Sequence, residues 1–326
     1  MTIYRSLAEV PADFGPSALT IGNFDGVHAG HRRILRRVCE VAEQHGWKPS
    51  VLTFNPHPTR VVAPERTPRL MTSPDRRAEL MEEEGIRQVL ILPFTEELAH
   101  LSAEDFVRQL LVERLGVRAV LVGDNFCFGY RQSGNAKVLE DLGRRLGFET
   151  EVVHAVSWRG RVVSSSGIRR MIEAGRVSLA ARLLHHPYAL EGEVIGGRGV
   201  GSAQTVPTLN LSPTSEEIPA AGVYVTRTTD LDAARAWNSV TNIGYRPTFG
   251  LSDQVSIETF LLDGLEGGAP RHIRVEFLWR VRRERKFDDA ASLKVQILKD
   301  ARTAQAYFRR VAAWTGRTGR RAAKPA

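Results

Sequence analysis

The sequence predicts an α/β chain in two parts: a parallel sheet covered by helices, then a small antiparallel β-barrel with a terminal helix. Three observations predict it. Short apolar runs alternate with amphipathic stretches through the first half. After Pro187 the texture changes to β-rich runs punctuated by glycine and proline. At 326 residues the chain is also long for one domain, so two are expected.

In chain order, the apolar runs 18–24, 50–54, 88–92 and 119–123, with a weaker one at 151–156, read as strands. The stretches 31–45, 75–84, 103–115 and 136–146 carry apolar residues at helical spacing and read as the connecting helices. A helical segment over 168–184 follows. Candidate barrel strands are 188–195, 222–229, 237–243, 255–262 and 273–282, five to six in all. A final helix over 290–312 sets Leu293, Ile297, Ala301, Ala304 and Phe308 on one stripe, which should pack on the barrel. The expected domains are therefore 1–185 and 186–312, with 313–326 a disordered basic tail.

Composition is that of an ordinary soluble globular protein, with 42% hydrophobic and 25% charged residues. Of the formal charge of +8, six units come from Arg309, Arg310, Arg317, Arg320, Arg321 and Lys324, leaving about +2 elsewhere. A nucleic-acid partner is disfavoured because only this tail supports one. Cys39 and Cys127 have neither metal-ligand nor disulfide spacing and suit a reducing compartment. The start lacks a signal pattern and no apolar run is long enough to span a bilayer, so a cytoplasmic protein without membrane contact is expected.

The most specific signal is Gly22-Asn-Phe-Asp-Gly-Val-His-Ala-Gly-His31, a strand end followed by two histidines flanking Gly30 at a helix start. Ligands of covered parallel sheets bind beyond the carboxyl ends of the strands. A helix N-terminus there offers backbone N–H groups and positive potential to an anion. Imidazoles at that point can neutralise charge building on an α-phosphate and a departing pyrophosphate without a covalent bond. Gly30 leaves room for a phosphate to approach the backbone.

Ser164-Ser-Ser-Gly-Ile-Arg169 reads either as an ordinary helix cap or as a second clamp for β- and γ-phosphates. Two loops could recognise a flat aromatic ligand: Phe54-Asn-Pro-His-Pro58 and Asp124-Asn-Phe-Cys-Phe-Gly129. Core packing is the preferred reading for Phe54, and His57 could be no more than a turn residue. In the second part, Gly196-Gly-Arg-Gly-Val-Gly201 could wrap a nucleotide through its amides. Thr208 and Asn210 project the same way if extended and could reach one Mg²⁺, although capping is the simpler reading. Glu258, in an otherwise apolar strand, is either solvent-facing or a general base for a hydroxyl attacking a γ-phosphorus. There is no Gly-x-x-x-x-Gly-Lys-Ser/Thr loop, and the glycine cluster lacks the spacing of a dinucleotide fingerprint.

In their order and spacing, the histidine turn, Thr53–Pro58, Gly123–Gly129, Ser164–Arg169, Pro207-Thr-Leu-Asn210 and Asn242–Phe249 resemble the bacterial bifunctional riboflavin kinase/FAD synthetase family across nearly the whole chain. The resemblance implies a Rossmann-like nucleotidyltransferase domain of the HxGH type and a riboflavin kinase barrel. Riboflavin and Mg-ATP would give FMN and ADP, and FMN and ATP would then give FAD and pyrophosphate. It implies catalytic roles for His28, His31, Arg169 and Glu258, and ATP binding by Gly22, Asn23, Phe24, Asp25, Gly30, Ser164, Ser165 and Ser166. Pro56, Pro58, Asn125, Phe126 and Phe128 would meet the flavin. Gly197, Gly199 and Gly201 would hold the kinase's ATP, with Thr208 and Asn210 on Mg²⁺. The sequence departs from the family pattern at Gln204, Thr205, Leu209 and Phe260 in the kinase part, and at Cys127 and Ser166 in the first. The kinase departures motivate an alternative, an FAD synthetase whose barrel only binds flavin. The oligomeric state is left open.

Overall fold

The computed structural model describes residues 1–195, 208–246, 254–265 and 268–322. It divides into two compact units, Met1–Gly167 and Ile168–Ala326.

The first unit holds a six-stranded, all-parallel sheet: β1 (Thr2–Tyr4), β2 (Ser17–Ile21), β3 (Lys48–Phe54), β4 (Gln88–Leu92), β5 (Val117–Gly123) and β6 (Glu149–Val153). Their order is β1-β4-β3-β2-β5-β6. Successive side chains of a strand face opposite sides, and here both sides are apolar. Leu19, Leu52, Leu90 and Val120 join one buried cluster with Phe106, Leu110 and Leu139. Ala18, Val51, Val89 and Ala119 join the other, with Leu35 and Val38 of α1 (Ala29–His45) and Leu80 and Met81 of α2 (Pro74–Glu83). From β2 the chain winds to β3 and β4 on one side, then returns to place β5 on the other. The switch point therefore lies between the carboxyl ends of β2 and β5, where such sheets bind ligands.

Several boundaries differ from the sequence reading. The strand expected over 18–24 ends at Ile21, because the next residues turn. β1 is an edge strand of three residues, too short to show a period. The stretch 103–115 opens as an α-turn and continues with wide turns, Leu115 N donating to Leu110 O at 3.0 Å. The helical segment 168–184 is two helices, Ser165–Glu173 and Val177–Leu184, parted at Gly175 with φ 69°. From Ile168 onward these helices belong to the second unit rather than the first. Ser178 Oγ, for instance, donates to Leu278 O at 2.7 Å.

The second unit is a closed antiparallel barrel of β7 (Tyr188–Ile195), β8 (Leu209–Pro213), β9 (Gly222–Asp230), β10 (Ala236–Arg246), β11 (Gln254–Leu261) and β12 (His272–Arg283). The order is β7-β8-β11-β10-β9-β12, closing back on β7. Its interior carries a chain of fully buried hydroxyls. Thr228 bonds Ser239, Ser239 bonds Thr226 and Thr226 bonds Thr241, each at 2.8 Å, and Thr241 bonds Thr259 at 2.9 Å. Each hydroxyl satisfies its neighbour, as buried polar groups require. The terminal helix packs Ala301, Ala304 and Phe308 toward the barrel, as its stripe predicts. Asp300, 4% exposed, also binds Arg282 of β12 at 2.8 Å. This helix runs Ala290–Ala322, past the expected end at 312 and into the segment read as a disordered tail.

Candidate active sites

At the switch point β2 leads into a turn through three left-handed residues, Phe24 (φ 50°), Gly26 (φ 81°) and Val27 (φ 40°). Two of these carry side chains and are strained there, by about 1–2 kcal/mol each. Burial of Phe24 (3% exposed) and Val27 (0%) holds them in place. The turn delivers His28 as the N-cap of α1, where its Nδ1 accepts from Gly30 N at 3.2 Å and His31 N at 3.3 Å. A neutral imidazole that accepts at Nδ1 carries its proton on Nε2. The cap thus fixes the tautomer, with the N–H on Nε2. It also corrects one expectation: the Gly30 and His31 amides serve the His28 ring instead of standing free for an anion. The side-chain space missing at Gly30 is likewise taken by that ring, whose Cε1 lies 3.1 Å from where a Cβ would sit.

The His28 and His31 rings stack at 3.6 Å and 15°. Phe24 meets His31 edge-on at 5.1 Å. Burial, then the neighbouring His28 and the Arg77 charge, push the His31 pKa well below 6.5, so this ring is neutral near pH 7. The unfolded chain takes up a proton near pH 6.5 that the folded ring resists. Stability is therefore complete above about pH 6.5 and declines as the pH falls toward the folded value. Urea midpoints at pH 8 and pH 5.5 should show that loss, and His31→Ala should make it smaller.

Other parts of the unit lock the turn. Asp25 is 2% exposed and accepts from Met71 N (3.0 Å), Thr72 N (3.1 Å) and Thr72 Oγ1 (3.0 Å). Those contacts make it an anchor for the 71–72 loop. Ser165 Oγ donates to Asp25 O at 3.0 Å, joining the serine motif to the histidine turn. Ser164 Oγ accepts from Gly167 N at 3.3 Å as a helix cap, while Ser166 is exposed in the first turn and Arg169 follows on the same helix. Gly22 backs onto the Phe24 ring, which is a buried wedge. Asn23 is a hub. Its carbonyl accepts from Arg77 Nη1 at 2.6 Å, and its side-chain amide lies 2.9 Å from His57 Nε2. Sequence reasoning did not single out Arg77, and it gave His57 no contact with Asn23.

In the second unit, register aligns Asn210 of β8, Glu258 of β11 and Asn242 of β10 side by side. All three are half-buried, whereas Leu209, Thr259 and Ile243, of the opposite parity, are buried in the barrel. Ser256 Oγ donates to a Glu258 oxygen at 2.9 Å. Thr208 is exposed directly before β8. The Leu209 departure thus falls inside the barrel, off the Glu258 face, while Phe260 shares the parity of Glu258. Gly197, Gly199, Gly201, Gln204 and Thr205 lie outside the described residues.

A FAD synthetase family model matches residues 10–167, and a riboflavin kinase family model matches residues 184–308. Curated relatives named bifunctional riboflavin kinase/FMN adenylyltransferase include one from Pseudomonas fluorescens, 35% identical over 94% of this chain and 97% of its own. One from Escherichia coli strain K12 is 34% identical over 93% and 96%, and one from Bacillus subtilis strain 168 is 33% identical over 90% and 92%. The chain belongs to the bifunctional riboflavin kinase/FMN adenylyltransferase family. It is an enzyme of flavin cofactor synthesis that phosphorylates riboflavin to FMN and adenylylates FMN to FAD. The alternative of a barrel without kinase function gives way to the riboflavin kinase match. A solved structure described as a macrolide-efflux protein from Streptococcus pneumoniae matches at TM-score 0.82 and 24% identity, covering 93% of this chain and 98% of its own, a likeness of fold.

For an FMN adenylyltransferase, the residues expected against the flavin are placed unevenly. Phe54 is core, T-stacked on Phe94 at 5.4 Å, as its sequence context suggests. Pro58 opens a short helix capped by the His57 ring, with Pro56 in the turn before it. Phe128, expected at the ligand, is 7% exposed and packs on Phe106 at 5.7 Å. The absent side chain of Gly134 makes room for it, since a Cβ there would sit 2.7 Å from its ring. Asn125 and Phe126 remain accessible. Asp124 ties their loop to the end of β6, accepting from Ala155 N at 2.8 Å and lying 2.8 Å from His154 Nδ1. Among the described residues no helix is long and apolar enough to cross a membrane.

Proposed function

We propose that the histidine turn carries adenylyl transfer and that the Asn210–Glu258 row carries phosphorylation. In the first reaction an FMN phosphate oxygen attacks the α-phosphorus of ATP, and the bond to the bridging oxygen breaks to release pyrophosphate. His28 Nε2–H donates to the α-phosphate oxygens as charge grows on them, and neutral His31 backs it. Ser164, Ser165, Ser166 and Arg169 hold the outer phosphates, with Asn125, Phe126, Pro56 and Pro58 toward the flavin. The supporting observation is the His28 cap, which commits Nδ1 to backbone amides and so leaves the proton on Nε2.

In the second reaction the terminal ribityl hydroxyl of riboflavin attacks the γ-phosphorus while Glu258 takes its proton, and ADP leaves. Thr208 and Asn210 offer neutral oxygens next to a carboxylate, a donor set that suits Mg²⁺. The metal would neutralise phosphate charge. The glycines 197, 199 and 201 belong with the nucleotide of this site. The free thiols Cys39 and Cys127 agree with a cytoplasmic setting.

Product analysis from riboflavin and ATP tests this reading. With magnesium, FMN rises first and FAD follows. Chelation by EDTA should cut FMN formation at least about 100-fold, and FMN formation undiminished by EDTA removes the metal role of Thr208 and Asn210.

A further inference from the structure

Arg77 is the largest fully buried side chain among the described residues, 2% exposed on α2. A guanidinium with five donors is rarely buried without full pairing. Its Nη1 donates to the Asn23 carbonyl at 2.6 Å, but its Nε has no hydrogen-bond partner among the described residues. The carboxylate whose charge acts on it, Asp25, is already occupied by Met71 and Thr72. The cation therefore keeps its charge with an underused donor set, next to the turn that presents His28 and His31. Asn23, which it grips, also touches His57 through its side chain. One buried guanidinium thus organises the histidine turn and the Phe54–Pro58 turn together.

We propose that Arg77 is a positioning residue for adenylyl transfer: it clamps the Asn23 carbonyl beneath the histidine pair and supplies fixed positive potential toward the transferring phosphate. The proposal rests on the assignment of adenylyl transfer to His28 and His31. Arg77 acts through the backbone of Asn23 and through the charge state of His31, whose ring feels its field. A preorganised charge in a dry site stabilises a transition state without reorganising during the reaction. It also adds to burial and His28 in holding His31 neutral, so that the ring stacked on His28 takes on no charge of its own.

The test compares Arg77→Gln, Arg77→Lys and His31→Ala in the full chain. Rates of FAD formation from FMN and ATP are followed across pH, with FMN formation from riboflavin as the control for a folded protein. Arg77→Gln should lower kcat for FAD formation about 10- to 100-fold while KM for ATP changes less than about threefold. Its acid limb should move to higher pH, because His31 loses the cation that depresses its pKa. Arg77→Lys, which keeps the charge, should return the acid limb to its wild-type position and recover much of the rate.

Wild-type kcat and an unmoved acid limb in Arg77→Gln overturn the proposal. Equal loss in the Gln and Lys variants with an unmoved acid limb also overturns it, because it marks a purely structural role. If His31→Ala keeps full FAD formation, the histidine assignment itself fails. If it abolishes FAD formation while Arg77→Gln does not, only the Arg77 proposal fails. Should Arg77→Gln not fold, Arg77→Met, which fills similar space without the charge, takes its place: a kcat for FAD formation lowered at least about 10-fold with the acid limb moved to higher pH supports the proposal, and wild-type kcat or an unmoved acid limb overturns it.

Discussion

FAD formation from FMN and ATP should fall about 1,000-fold or more in His28→Ala, while FMN formation from riboflavin stays within about twofold of wild type. Removing one preorganised donor to a developing oxyanion typically costs 10²–10³ in rate, about 2.7–4 kcal/mol. His28→Ala removes more than the donor. It strips the cap from Gly30 and His31 N–H and takes away the ring stacked on His31 at 3.6 Å. Losing an N-cap costs about 1 kcal/mol of stability, so part of the effect could come from a loosened helix start. His28→Asn separates the two, since asparagine caps well but offers no imidazole donor. It should keep stability close to wild type and still lose most of the FAD-forming rate, read from initial rates with FMN supplied directly. A His28→Asn enzyme with near-normal FAD formation would reduce His28 to a cap.

The opposite pattern is expected for Glu258→Gln: FMN formation lost by about 10²–10⁴, the usual contribution of a general base, and FAD formation from supplied FMN retained. Glutamine keeps the shape and an oxygen for Ser256 Oγ, which donates to Glu258 at 2.9 Å, but it cannot take a proton. The neighbours Asn210 and Asn242 lie on strands registered to either side. The barrel should therefore hold and the loss should be chemical, visible in kcat more than in KM. If Glu258→Gln and His28→Ala each abolish both products in folded protein, two separate sites are not the right description.

The sheet was legible because strands buried on both faces leave unbroken apolar runs, as in 88–92 and 119–123. The barrel was legible from repeated β-rich runs, and β8 fell on the Pro-Thr-Leu-Asn motif without standing out as a strand. The histidine pair was legible from spacing alone. Its hydrogen bonding was not, because an N-cap ring that consumes the helix amides depends on the His28 rotamer. Asp25 and Phe128 carried the right chemistry in the right motifs, yet the fold turned both inward. Arg77 was hidden for a different reason. It stands in a charged run beside Arg76, which is half-buried and pairs with Glu79 at 2.6 Å. Only the packed face of α2 distinguishes the two arginines. The contact of His57 with Asn23 was not legible because the two residues lie 34 positions apart.

The most direct measurement is a structure of the protein with magnesium and a non-hydrolysable ATP analogue bound at the first unit. The account expects an α-phosphate oxygen at hydrogen-bond distance, about 3 Å, from His28 Nε2, with the His31 ring still stacked behind it. An α-phosphate bound elsewhere, with both imidazoles enclosed by protein atoms alone, would contradict it.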